Sequence, residues 1–168
     1  MSAKQAAKTN AVRLLEGYGY PFELLEAEVD ESDLSAERAA KDLGLSEELV
    51  YKTLVAKADR TGYVKAMLPA GRNMDMKALA DVSGNRRASM IPVKDLLSVT
   101  GYIRGGCSPL GGKLRAGIFI LDEALIQPFI VFNAGRRGLF VKMKPDDFIL
   151  ATGAEPCMIA HSADYKIS

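Results

Sequence analysis

Three short segments of this chain carry residue types that do chemistry. The first is Val50-Tyr51-Lys52-Thr53-Leu54-Val55. Alternate residues of a strand face opposite sides, so Lys52 shares a face with Leu54, and Tyr51 shares one with Thr53. A lysine in such a run is either an edge residue that resists aggregation or a cation held in a cleft. The second segment is Gly101-Tyr102-Ile103-Arg104-Gly105-Gly106-Cys107-Ser108-Pro109-Leu110-Gly111. Gly105 and Gly106 let the backbone approach a ligand and offer N–H groups to a carbonyl or ester oxygen, although a plain tight turn uses the same residues. No Gly-Lys-Ser/Thr follows, and the glycines open no obvious helix, so neither a Walker loop nor a dinucleotide fingerprint is present. The third is Asn133-Ala134-Gly135-Arg136-Arg137-Gly138. Glycine in a hairpin is ordinary. Arginine suits phosphate, so the pair is either solvated or a clamp on an RNA backbone.

Other catalytic constellations are excluded by what is missing. The single histidine, His161, stands near the C-terminus, and Ser108 has no evident base, so a Ser-His-Asp triad is not expected. Cys107 has only Arg104 nearby to lower its pKa and reads as a loop filler. Cys107 and Cys157 lie far apart without CxxC spacing, so neither a zinc site nor a disulfide framework follows. No metal-ligand cluster is evident in the sequence.

The elements that must position these segments can be read from periodicity and punctuation. Lys4 to Tyr18 has helical spacing and ends at Gly17 and Gly19. Phe22 to Ala27 is a short strand. Ser35 caps a helix through Leu43 with Gly44 as its stop, and Ser46-Glu47-Glu48 begins a helical turn. Val50 to Lys57 and Tyr63 to Leu68, joined by Asp59-Arg60-Thr61-Gly62, form a hairpin. Asp75 to Val82 is helical, and Pro92 opens a helix that runs to Thr100. Ile118 to Leu121 is a strand, with Asp122 capping a brief helix. Phe129 to Asn133 and Leu139 to Met143 are strands, and Lys144-Pro145-Asp146 opens a last helix through Leu150. Hairpins and helices mix without strict βαβ alternation, so the class is α+β.

The chain has 168 residues, enough for one domain spanning 1–168. A hydrophobic fraction of 48% with 26% charged residues is that of an ordinary globular chain, which excludes disorder. No run approaches the roughly 20 apolar residues of a membrane span, and no apolar stretch follows the first lysines as in a secretory signal. A cytosolic location is therefore expected. The net charge of +1 gives no basic footprint for the whole chain, so any RNA contact must rest on a local patch. Neither DNA nor a membrane is expected as a partner.

Taken together, in order and spacing, these segments resemble the YbaK-like editing domains associated with prolyl-tRNA synthetase. Val50-Tyr51-Lys52-Thr53-Leu54, Gly105-Gly106-x-Ser108-Pro109-x-Gly111 and Asn133-x-Gly135-x-Arg137-Gly138 carry the likeness. Pro69-Ala70-Gly71-Arg72-Asn73-Met74-Asp75-Met76-Lys77 is similar to the family's helix entry, and the likeness runs from about Lys8 to Pro156. It implies one compact domain, a mixed β-barrel-like sheet surrounded by helices. It further implies an aminoacyl-tRNA deacylase, needing no cofactor, that cleaves the ester of a small wrong amino acid, chiefly cysteine or alanine, on proline tRNA. Release is hydrolytic, or lyase-like if a cysteinyl substrate's own thiol attacks its ester. Lys52 takes the place of the family's essential lysine. Thr53, Gly105, Gly106, Ser108, Asn133, Gly135 and Arg137 fall at substrate-binding positions. Aminoacyl-tRNA is the implied partner, with prolyl-tRNA synthetase as a second. Three places depart from the pattern: Asn133, where many members have serine; Phe140, where some have an acidic residue; and Ala27-Glu28-Val29-Asp30, where an aromatic residue followed by x-His-Asp is common. Two other readings are a non-catalytic RNA- or synthetase-binding module of the same fold and an unrelated hydrolase of small activated esters.

Overall fold

A computed structural model describes residues 8–165. Its first three helices begin where short polar side chains replace missing backbone acceptors. Thr9 accepts from the Val12 N–H at the start of α1 (Asn10–Tyr18), and Ser35 accepts from Arg38 at the start of α2 (Ala36–Leu43). Asp75 does the same for Ala78 at α3 (Met76–Val82). The expected start of α1 at Lys4 lies outside the described residues.

The strands are β1 (Glu23–Glu26), β2 (Val50–Ala58), β3 (Gly62–Pro69), β4 (Ala88–Met90), β5 (Ile118–Leu121), β6 (Ile130–Arg136), β7 (Leu139–Met143) and β8 (Glu155–Cys157). They form one mixed sheet in the order β1-β7-β6-β2-β3-β5-β8, with β4 paired to β2 off this path. β2 and β3 make the expected antiparallel hairpin, with Lys52 opposite Leu68. The β2–β6, β3–β5 and β5–β8 pairings are parallel. The α+β class and mixed sheet agree with the sequence reading. One local reading changes: Pro92 to Thr100 is split into a 3-10 turn at Val93–Asp95 and the short helix α4 (Leu96–Thr100). The turn expected at Ser46-Glu47-Glu48 is present, closed by the Leu49 N–H donating to the Ser46 carbonyl at 3.0 Å. α5 (Pro145–Thr152) closes the set.

The main core fills one face of the sheet. Tyr51, Met67, Ile120, Phe132 and Phe148 are buried there with Val12 and Leu15 of α1. Each fully buried side chain of this size contributes about 1.5–3 kcal/mol. A smaller cluster of Ala40, Val50, Val131 and Phe140 fixes α2 to the other face. That second contact matters for function, because α2 packs over the start of β2, beside Lys52.

Candidate active site

β2 changes partners along its length. Val50 and Tyr51 pair with β6, Ala56 to Ala58 pair with β4, and Ile91 N–H donates to the Val55 carbonyl at 3.2 Å. Between these contacts Lys52, Thr53 and Leu54 have a neighbouring strand on the β3 side only. The Val50 carbonyl accepts from Ala70 beyond β3, so the even-numbered residues use their backbone groups on that side. By the alternation of an antiparallel ladder, the N–H and C=O of Thr53 turn toward the split.

A cavity of about 420 Å³ occupies the split. The start of α2 (Leu34 to Glu37) forms one wall, and Met90 to Val93 with Leu96 form the opposite one. Arg104, Gly105 and Cys107 close a third side, with Asn133 and Phe140 completing it.

Lys52 shares the α2 face of the strand with Val50 and is half-buried. Its Nζ donates to the Ala70 carbonyl at 2.9 Å. Burial lowers its pKa from the ordinary 10.5, partly offset by the carboxylates of Glu37 and Glu47. β2 lies inside the sheet order, and the open edge it has at Lys52 faces the cavity between α2 and the Met90–Val93 segment. On the other face, the hydroxyls of Tyr51 and Thr53 are buried without hydrogen-bond partners. Burial among the carboxylates of Glu123, Asp122 and Glu48 pushes the Tyr51 phenol well up, and Thr53 also lines the cavity.

The glycine loop is held from both ends. Gly106 N–H donates to the Ile103 carbonyl at 2.9 Å, closing a turn in which Gly105 has φ 82°. A side chain at Gly105 would meet Leu34 at 3.1 Å, and one at Gly106 would meet the Arg137 nitrogen at 3.1 Å. The positive φ favours glycine at position 105, and a side chain at position 106 would have to push the Arg137 backbone back by a few tenths of an ångström. Asn133 donates to the Gly105 and Arg136 carbonyls at 3.0 Å each. Its Oδ1 accepts from Gly135 at 2.6 Å and Arg136 at 3.1 Å, within a bulge between β6 and β7. All four hydrogen-bonding positions of this amide are thus spent on the protein. Arg137 Nε donates to the Arg104 carbonyl at 2.9 Å.

Of the candidates read from the sequence, Lys52, Thr53, Gly105 and Asn133 line one cavity. Gly106, Ser108 and Gly135 do not line it, and Arg137 lines a smaller adjoining pocket with Ala27 to Asp30. Ser108 is buried, and its Oγ accepts from Leu110 N–H at 3.2 Å. Gly135 lies against the Tyr102 ring. The Gly106 N–H, expected to face substrate, is committed to the turn. Cys107 lines the cavity with its thiol pushed up to about 11 by burial. His161 stacks on Tyr165 at 3.8 Å, away from the cavity. Among the described residues no group of three His, Cys, Asp or Glu side chains is placed to hold a metal, and no helix is long and apolar enough to cross a membrane. The sequence reading missed Lys65 of β3, buried behind the loop. Its signal was a lysine inside the apolar run Tyr63 to Leu68.

Residues 30–150 match the family of aminoacyl-tRNA editing domains. The chain belongs to that family. It is 38% identical over 152 residues to EbsC of Enterococcus faecalis, provisionally named as a Cys-tRNA(Pro)/Cys-tRNA(Cys) deacylase, covering 90% of this chain and 93% of that one. The fold is shared with a protein crystallised under the provisional name of a trans-editing enzyme for prolyl-tRNA synthetase. That likeness has a TM-score of 0.79 at 19% identity and covers 94% of this editing domain and 100% of the other chain. A second crystal structure, of hypothetical protein APE2540, superposes with TM-score 0.80 at 19% identity, over 89% and 97% of the two chains.

Proposed function

We propose that this editing domain acts in trans as a deacylase, cleaving the ester between a small wrong amino acid and tRNA, with cysteine on proline tRNA foremost. The observation that carries the proposal is the split in β2, where a half-buried ammonium, a ladder-free backbone amide and a glycine turn converge on one cavity. An aminoacyl ester is already activated, so catalysis needs chiefly a held carbonyl and donors for the oxyanion. Lys52 and the Thr53 N–H are assigned as those donors, since the Gly106 N–H is occupied. Attack on the carbonyl carbon breaks its bond to the ribose oxygen, which leaves as the hydroxyl of tRNA. The attacking group is water, or the thiol of a cysteinyl substrate, and neither route requires a histidine. The close Gly105 backbone and Phe140 limit the space for the side chain.

Recognition of the RNA has a local basis. Between Ser83 and Gly117 stand Arg86, Arg87, Lys94, Arg104, Lys113 and Arg115 against Asp95 alone. None of the six forms an ion pair among the described residues. This segment supplies two sides of the cavity, so its charge lies where a polyanion would enter. Prolyl-tRNA synthetase, as the source of the mischarged tRNA, is the implied partner. Deacylation of cysteinyl-, alanyl-, seryl- and prolyl-tRNA is the test. Release from cysteinyl- or alanyl-tRNA ahead of prolyl-tRNA is expected, and no release from any of the four overturns the proposal.

A further inference from the structure

Lys65 lies on β3, opposite Val55, on the sheet face that also carries Thr53. It is only 7% exposed. No carboxylate pairs with it among the described residues, and its Nζ donates to the Pro109 carbonyl at 2.9 Å. An ammonium buried without a counter-charge is costly, and an apolar side chain of similar length would fill the space without that cost. Fold stability therefore does not account for it. Its hydrogen bond runs to the glycine loop. Asn133 and Arg137 hold the leading end of that loop through the Gly105 and Arg104 carbonyls. Lys65 holds the trailing end at Pro109, next to Tyr102, whose hydroxyl donates to the Leu110 carbonyl. Cys107, which lines the cavity, lies between the two anchorages.

We propose that Lys65 is a positioning residue for the editing reaction: it pins the Gly105–Pro109 wall of the cavity to the hairpin that carries Lys52. This rests on the deacylase reading above. The ammonium does not touch substrate. It fixes the distance between the loop and β2, and that distance sets how well the ester sits against its donors.

The test compares the full chain with Lys65→Met in three measurements. The denaturation midpoint should be equal to or above that of the native protein, because a buried charge has been removed. Amide hydrogen exchange should accelerate roughly tenfold or more at Gly106 and Leu110, with the β2–β3 hairpin as protected as before. Deacylation should show kcat lower by about ten- to a hundredfold with KM within about twofold, as for a misplaced rather than missing group. Lys65→Gln, which keeps a donor, replaces it if Lys65→Met does not fold, with the same readouts and smaller changes. Unchanged loop exchange overturns the proposal, and so does a loosened loop with native kcat. If the native protein deacylates nothing, the deacylase reading falls and the catalytic part of this proposal falls with it. The exchange measurement then still decides whether Lys65 pins the loop.

Discussion

The two lysines Lys52 and Lys65 occupy opposite faces of one hairpin and make the same bond, a 2.9 Å hydrogen bond from Nζ to a backbone carbonyl. Burial lowers the pKa of both. Their surroundings differ. Lys52 has the carboxylates of Glu37 and Glu47 within its field and lines the cavity. Lys65 has no carboxylate in its field and lies behind the loop. One hairpin thus holds a cation that can meet a substrate and another that can only meet the protein. What separates them is the split in β2, which opens one stretch of a central strand.

Lys52 is the more sensitive of the two. Lys52→Ala should lower kcat/KM by about 100-fold or more, in line with the loss of an oxyanion donor. It should stay folded with a modest loss of about 1 kcal/mol, since the buried Ala70 carbonyl loses one donor while a half-buried charge is removed with it. A variant with near-native turnover would place the chemistry elsewhere, and one that unfolds would make the lysine structural. Lys65→Met, by contrast, should lose less activity and no stability.

Asn133 sharpens the same distinction between touching substrate and holding the wall. Removing its amide leaves the Gly105 and Arg136 carbonyls and the Gly135 and Arg136 amides without their partner. Asn133→Ala should therefore cost about 2–3 kcal/mol in denaturant unfolding. A cost near zero would mean that water replaces the side chain freely. Asn133→Ser should fall between, and its ranking of cysteinyl- against alanyl-tRNA should follow loop position rather than direct contact.

Much of this was legible where signals are local. Ser35 with Gly44, Asp75, and the Asp59-Arg60-Thr61-Gly62 turn each fix their elements through neighbouring atoms, and all appear where read. Lys52 was visible as a lysine in an apolar strand. Lys65 carries the same signal, yet only the pairing of β3 with β2 and the return of the loop to Pro109 give it a role. β4 and β8 have three residues each, too few for a periodicity, and their pairing depends on distant strands. The split in β2 is likewise a property of two different neighbours. The commitment of the Gly106 N–H follows from turn geometry that the glycine pair alone does not specify.

The basic segment offers a weaker perturbation away from both lysines. Lys94→Glu should raise KM a fewfold with kcat unchanged, and should reduce the slope of log KM against log salt by about one if it meets a phosphate. An unchanged salt slope would remove Lys94 from the RNA path. Arg104 is a less clean probe, because its carbonyl also anchors Arg137.

The smallest effect is in pH dependence, where activity and stability respond with opposite signs. If Lys52 acts as a cation, kcat above the hydroxide-driven background should fall as pH rises through a pKa below the ordinary 10.5. Lys52→Arg stays charged throughout this range, so any activity it retains should lack that limb. Stability should move the other way. Between the lowered folded pKa and 10.5 the unfolded chain binds more protons at Lys52 and Lys65 than the native one, so stability rises with pH across that window. Lys65→Met should flatten the rise while leaving the activity limb in place at its reduced height. Urea unfolding from neutral to alkaline pH, beside single-turnover deacylation at the same points, measures both. A limb that disappears in Lys65→Met but survives in Lys52→Arg would exchange the roles of the two residues.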